Sequence, residues 1–252
     1  MDHVDDISLT RSLEERLVNV WPAVTTLMMD GWVVRFANGY SGRANSASAL
    51  VHGATVSLPL LTHIETLYRA EGLKPQFRIS PLAGDGVEAF LLAHGYRVKD
   101  EALSMTVPLD GSEAADPRVR LAASPEPAWL EGISVRQEPS KRSPAHLLAI
   151  VSRVKLPYAC ATLRENGTNL GFAYSAIDRG FAEIGLVMVD EKARGKGLGR
   201  AIMTSLMQWA ATQGASHAFL QVDTNNTPAL RLYESLGFRR AYRYRTLVKD
   251  QG

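Results

Sequence analysis

The sequence predicts an α/β (α+β) protein made of two tandem halves, each a mixed β-sheet flanked by helices. Three observations predict it. Helical and strand-like apolar segments alternate along the chain. One small polar segment, Asp110–Pro117, closed by proline, separates two stretches of this kind. The two stretches also share punctuation. Glu71-Gly72 recurs as Gln213-Gly214, and His94-Gly95-Tyr96-Arg97 recurs as Leu236-Gly237-Phe238-Arg239, both at an offset of 142 residues, with Phe77 falling on Phe219. An ungapped helix–strand–helix–strand repeat accounts for all three anchors. The boundaries follow: a first half over 1–109, a linker over 110–117 and a second half over 118–252.

Within the second half, Val119–Ala122 reads as a short strand, and Pro125–Val135 and Ser143–Val154 as helices. Tyr158–Arg164 and Leu170–Ile177 read as strands joined through Asn166-Gly167, a pair that tolerates the positive φ a tight hairpin needs. Arg179-Gly180 turns the chain into a strand over Phe181–Val189. A glycine-rich loop, Arg194–Gly199, opens a long helix with Ile202, Leu206 and Trp209 at helical spacing, stopped by Gly214. Ala218–Val222 is a buried strand. Pro228–Leu236 is a helix with proline in its first turn. Ala241–Lys249 is a last strand. In the first half, Asp30–Tyr40 reads as a strand and a turn, whose aromatics and arginine either shape a substrate pocket between the halves or, as the default, serve packing.

Composition narrows the function. Hydrophobic residues are 46% and charged residues 21% of 252, enough core for two ordinary domains, which excludes a disordered or fibrous chain. The net charge of +2 argues against a general polyanion binder. Cys160 is the one cysteine, which excludes an internal disulfide and a multi-cysteine zinc site. The six histidines show no paired ligand spacing, so no metal is expected. The N-terminal MDHVDDISLTRS is not a secretory signal, and no apolar run reaches membrane-spanning length, because His52, His63 and Glu65 interrupt the best stretch. A cytoplasmic protein with no membrane partner is expected.

The chemistry concentrates in residues 183–200, where a strand runs through alternating glycines into a helix. Glycines let backbone amides approach a ligand, and a helix start offers unpaired N–H groups with partial positive charge. Arg194, Lys196 and Arg200 add full charges. The result is a phosphate cradle. A P-loop needs Ser or Thr after Gly-Lys, but Gly197 stands there, and a dinucleotide fingerprint needs glycine where Arg200 stands. Arg-x-x-Gly-x-Gly, as Arg194, Gly197 and Gly199, instead resembles the coenzyme A pyrophosphate loop of the GNAT acetyltransferase superfamily. Asn226, Ala229, Tyr233 and Gly237-Phe238 resemble that family's second signature. The resemblance covers most of 118–250. The first half resembles a degenerate copy: at the repeat offset His52 replaces Arg194, Thr55 replaces Gly197, Ser57 replaces Gly199 and Leu91 replaces Tyr233. One active site, in the second half, is expected.

The resemblance implies acetyl-CoA as co-substrate, an amine acceptor, and direct transfer in a ternary complex. It implies that the strand before the loop splays from its neighbour, so that the backbone of Met188 and Val189 holds the pantetheine arm. It assigns the pyrophosphate to Arg194, Gly195, Lys196, Gly197, Leu198, Gly199 and Arg200, and protonation of the leaving thiolate to Tyr233. Glu183, eleven residues before Arg194, matches the general base of some members, and equally reads as a solvated glutamate at a strand edge. Asn226 either bonds the pantetheine arm or caps the following helix. Cys160 reads as a small core residue.

Arg231, Arg239, Arg240, Arg243 and Arg245 are dense. Their alternation with Tyr242 and Tyr244 reads as the outward face of a strand, with some of them able to meet an acidic substrate or the 3′-phosphate of coenzyme A. Two other functions fit parts of the sequence: a non-catalytic acyl-CoA sensor, and an aminoacyl transferase using charged tRNA. Tyr233 argues against the first and the modest net charge against the second. Monomer and homodimer are both compatible with the sequence.

Overall fold

The structure is a computed structural model that describes residues 6–138 and 143–250. The other residues, among them the first five of the acidic N-terminal segment, lie outside the described residues. In chain order the elements are α1 (Ile7–Val20), β1 (Thr25–Met29), β2 (Trp32–Phe36), β3 (Ala47–Ala49), α2 (Leu58–Ala70), β4 (Gln76–Ile79), α3 (Val87–Ala93), β5 (Arg97–Pro108), β6 (Val119–Ala122), α4 (Pro127–Val135), α5 (Pro144–Val151), β7 (Tyr158–Glu165), β8 (Thr168–Asp178), β9 (Phe181–Val189), α6 (Leu198–Thr212), β10 (His217–Asp223), α7 (Thr227–Ser235) and β11 (Arg239–Val248). The run from α2 to β5 in this order recurs from α6 to β11 at the spacing the glycines announced.

The chain divides into two compact units. One holds the residues up to Ser104 with Val222–Asn225 and Arg240 onward; the other holds Met105–Gln221 and Asn226–Arg239. These units differ from the halves drawn at 110–117, because β11 goes with the first. It pairs antiparallel with β4, from Arg245↔Ile79 to Val248↔Gln76. Composition cannot make this assignment, since β5 and β11 are repeat counterparts; only hydrogen-bond pairing does.

In the first unit the strands run β1-β2-β3-β4-β11-β5. Alternate residues point to opposite faces. Trp32, Val34 and Phe36 face α2 and α3 with Phe77, Ile64, Tyr68 and Leu91, an apolar core with Trp32 edge-on to Phe77 at 5.4 Å. Arg35 and Arg78, on the other alternation, are as buried as that core, at 1% exposure each. Arg78 donates to Glu14 of α1 at 2.7 and 3.1 Å, and Tyr242 donates to the same carboxylate at 2.6 Å.

In the second unit the strands run β10-β9-β8-β7-β6. β9 and β10 are parallel, and the other neighbours antiparallel. The β7–β8 hairpin turns at Asn166 (φ 48°) and Gly167 (φ 81°), as their sequence predicts. α6 and α4 pack on opposite faces of β8. A Cβ at Gly171 would meet Ile202 of α6 at 2.6 Å, and one at Gly132 of α4 would meet Phe172 at 2.1 Å. The second contact is the closer, and Phe172 is 1% exposed. Gly132→Ala is therefore expected to destabilise the protein by about 1–3 kcal/mol through overpacking. Denaturant titration checks this, and an unchanged midpoint would show that Phe172 can move aside. Among the described residues no helix is long and apolar enough to cross a membrane.

Candidate active site: an open strand edge above an uncapped helix

β9 and β10 begin as partners, with Phe181↔His217, Ala182↔Ala218 and Glu183↔Phe219. The ladder ends there, although β9 continues to Val189. From Ile184 onward this edge of β9 is open. On the other edge, Gly185 pairs with Tyr174 and Met188 with Phe172, so Leu186 and Val187 together face Ala173. This is a β-bulge, and Leu186 sits at φ 54°, a conformation costly for a branched non-glycine residue. The bulge re-aims the strand so that Val187, Met188 and Val189 line a cleft of about 1140 Å3.

At the end of β9, Asp190 accepts from the amide of Lys192 at 3.1 Å and starts one 3-10 turn, Glu191–Ala193. The glycine loop follows. Gly197, at φ 75°, is the N-cap of α6 and supplies no side-chain acceptor. The first helical amide to find its partner is that of Ala201, which donates to Gly197 O at 3.0 Å. The amides of Leu198, Gly199 and Arg200 are the orphan donors every helix start leaves. A Cβ at Gly195 or Gly197 would meet nothing within 4 Å, so there is open space in front of both.

The counterpart region of the first unit is closed. Ser57 accepts from Leu60 N at 3.3 Å and caps α2. The strand ends are zipped by Gly53 N to Leu82 O at 2.9 Å, Gly84 N to Ala54 O at 2.8 Å and a parallel bridge between Ala54 and Ala83.

Most of the expected site residues converge. Met188, Val189, Arg194, Gly195, Gly197, Leu198, Gly199, Arg200, Asn226 and Tyr233 all line the cleft; Lys196 does not. Tyr233, 8% exposed, projects from α7 beside Phe238, ring centroids 6.0 Å apart. Asn226 accepts from Ala229 N at 3.3 Å, so its side chain caps α7. Glu183 is neither solvated nor among the lining residues. It is 1% exposed, and its Oε1 would lie 2.8 Å from a Cβ on Gly185. Its carboxylate therefore reaches along the strand toward the bulge. Burial, and after it the Glu183 charge, push the neighbouring Tyr174 phenol well above the usual range.

Residues 7–247 match the family described as "Probable histone acetyltransferase Rv0428c C-terminal". The chain belongs to this acetyltransferase family. It is similar to the uncharacterized N-acetyltransferase YobR of Bacillus subtilis, 28% identical over 246 residues, which cover 93% of this chain and 95% of YobR. Among solved structures, a GCN5-related N-acetyltransferase from Kribbella flavida aligns over 99% of this chain and 98% of its own, with a TM-score of 0.70 at 19% identity. A tandem GNAT protein from the clavulanic acid biosynthesis pathway aligns over 82% and 75%, with a TM-score of 0.61 at 15% identity. The chain is thus an acyltransferase of the GNAT superfamily, with the mixed α/β architecture expected of it.

Two features of this acetyltransferase escaped sequence reasoning. The bulge at Leu186–Val187 had one signal, Gly185 inside a strand, where glycine often marks a bulge. Arg136 had none. It stands at the end of α4, yet donates to Asp190 at 3.1 Å and to Gly132 O at 3.0 Å, stacks 4.9 Å above Phe172, and lines the cleft. Cys160 is 1% exposed, and burial, with the Glu126 charge adding, pushes its thiol up to about 12. At neutral pH almost none of it is the thiolate that a covalent acetyl carrier requires.

Proposed function

We propose that this acetyltransferase takes its acetyl group from acetyl-CoA and passes it directly to a primary amine in the second unit. One observation carries the reading: the open edge of β9 and the uncapped start of α6 line one and the same cleft. A pantetheine arm is an extended chain of amides, and an open strand edge binds such a chain as an added strand. The orphan amides of α6, with Arg194 and Arg200, suit the diphosphate that follows it. The amides at the bulge are the candidates to stabilise the thioester oxygen as it becomes an oxyanion.

In this reading the amine attacks the thioester carbonyl, the C–S bond breaks, and the thiolate takes a proton from Tyr233. A phenol titrates near ~10, so it carries that proton at neutral pH. A lysine-type amine has a pKa near ~10.4 and must lose a proton before attack. Glu183 is the proposed acceptor of that proton, through water, because its carboxylate lies deeper than the cleft wall. Holding both substrates together removes the entropic part of the barrier without a covalent intermediate. The lone cysteine's buried, protonated state suits a non-covalent route.

The test is calorimetric titration with acetyl-CoA, followed by thiol release across a panel of amines. Saturable heat and amine-dependent release with intersecting initial-rate patterns are expected. Ping-pong kinetics with a trapped acetyl-enzyme would overturn direct transfer, and no heat would overturn the donor.

A further inference from the structure

The dense C-terminal arginines are sorted by the structure. Arg243 pairs with Glu101 at 3.3 Å, and Arg245 with Glu101 and Glu88 at 2.8 Å each, all within the first unit. Arg231, from the same stretch of sequence, lines the cleft instead.

The charges of the cleft do not balance. Five cationic side chains and two carboxylates line it. Arg136 pairs with Asp190 at 3.1 Å and Arg194 with Glu191 at 3.6 Å. Lys192, Arg200 and Arg231 have no carboxylate partner among the described residues. Two of these three share one wall. Arg231 and Ser235 are four residues apart on α7 and so lie on one face. Ser235 accepts from Arg200 at 2.6 Å, which holds that guanidinium against the same face.

A diphosphate seated at those amides needs about two positive charges, and the lining supplies more. We infer that Arg231 and Arg200 form a second phosphate subsite that receives the ribose 3′-phosphate of coenzyme A and distinguishes it from its 3′-dephospho form. The inference rests on the coenzyme A reading above. A phosphate monoester carries close to two charges at neutral pH and suits a pair of guanidinium groups. Arg200 then serves both phosphate positions, and Arg231 serves the monoester alone.

Calorimetric titration of the whole protein with CoA and with 3′-dephospho-CoA, at low salt, tests this without knowledge of the acceptor. The parent protein is expected to prefer CoA by about five- to tenfold, a preference that shrinks as salt screens the charges. Arg231→Gln is expected to bring the ratio close to one, while Arg243→Gln, which changes a paired arginine outside the cleft, keeps it. The readout is the ratio of the two affinities, so general damage to the fold cannot imitate the result. Equal affinity of the parent for both nucleotides would overturn the inference, as would an Arg231→Gln protein that loses both equally. Binding of neither nucleotide would overturn the coenzyme A reading itself.

Discussion

Tyr233→Phe is expected to lower amine-dependent thiol release by about 100- to 1000-fold, the range of a lost general acid. Acetyl-CoA affinity is expected to change much less. The phenol is the one acidic hydroxyl that α7 presents to the cleft that Val187, Met188 and Val189 also line. The ring is 8% exposed and packs beside Phe238, so phenylalanine fills the same space. The variant therefore removes an oxygen and its proton and leaves the packing. A loss confined to kcat, with KM for acetyl-CoA within about twofold, fits an interaction made only as the thiolate departs. The assay is thiol release at saturating amine, with calorimetry as the control on binding. Retention of the parent rate would assign thiolate protonation to water or to another group.

Glu14→Gln is expected to cost about 3–5 kcal/mol of stability, the penalty for leaving a buried charge without its partner. Both side chains of the Glu14–Arg78 pair are 2% exposed. The carboxylate receives two bonds from Arg78 and one from Tyr242, and the guanidinium also lies over the Tyr244 ring at 4.0 Å. Burial is the largest influence on the Arg78 pKa and works to lower it; the Glu14 charge, the hydrogen bonds to Glu14 and the neighbouring Tyr244 and Tyr242 together more than offset it, so the group ends raised. Arg35, which the Glu14 charge supports only in part, shows the contrast: burial and then the Arg78 charge push it down to about 9. Glutamine keeps the shape and removes the charge, so two buried cations face one another. For a chain of this size the loss corresponds to roughly 6–20 °C in Tm. Thermal and denaturant melts check it, and a loss under about 1 kcal/mol would show that water reaches the pair. The companion Glu14→Leu, Arg78→Met protein is expected to recover much of the stability, since replacing a whole buried pair by apolar groups is often near neutral.

The backbone geometry of the glycine loop was legible in sequence because its physics is local. Positive φ at Gly197 and open space before Gly195 and Gly197 depend on residue type and on one helix start. The same holds for the Asn166-Gly167 turn, for Phe181–Val189 as a strand, and for the Tyr242 and Tyr244 face of the last strand, which the structure buries. The recurring helix–strand–helix–strand order was legible because glycine ends helices at the same places in both stretches.

What the tertiary structure alone decided are relations between distant residues. β11 joins β4 rather than β10, the strand next before it in sequence, a choice that pairing geometry makes and residue pattern does not. Arg136 reaches Asp190 across 54 residues, which no periodicity records. Glu183 is buried because the neighbouring strands, not its own residue type, set what surrounds it. The buried Glu14–Arg78 pair is the extreme case. Read along the chain, each is an ordinary surface charge; only the closure of α1 over the sheet removes water from both and makes each necessary to the other.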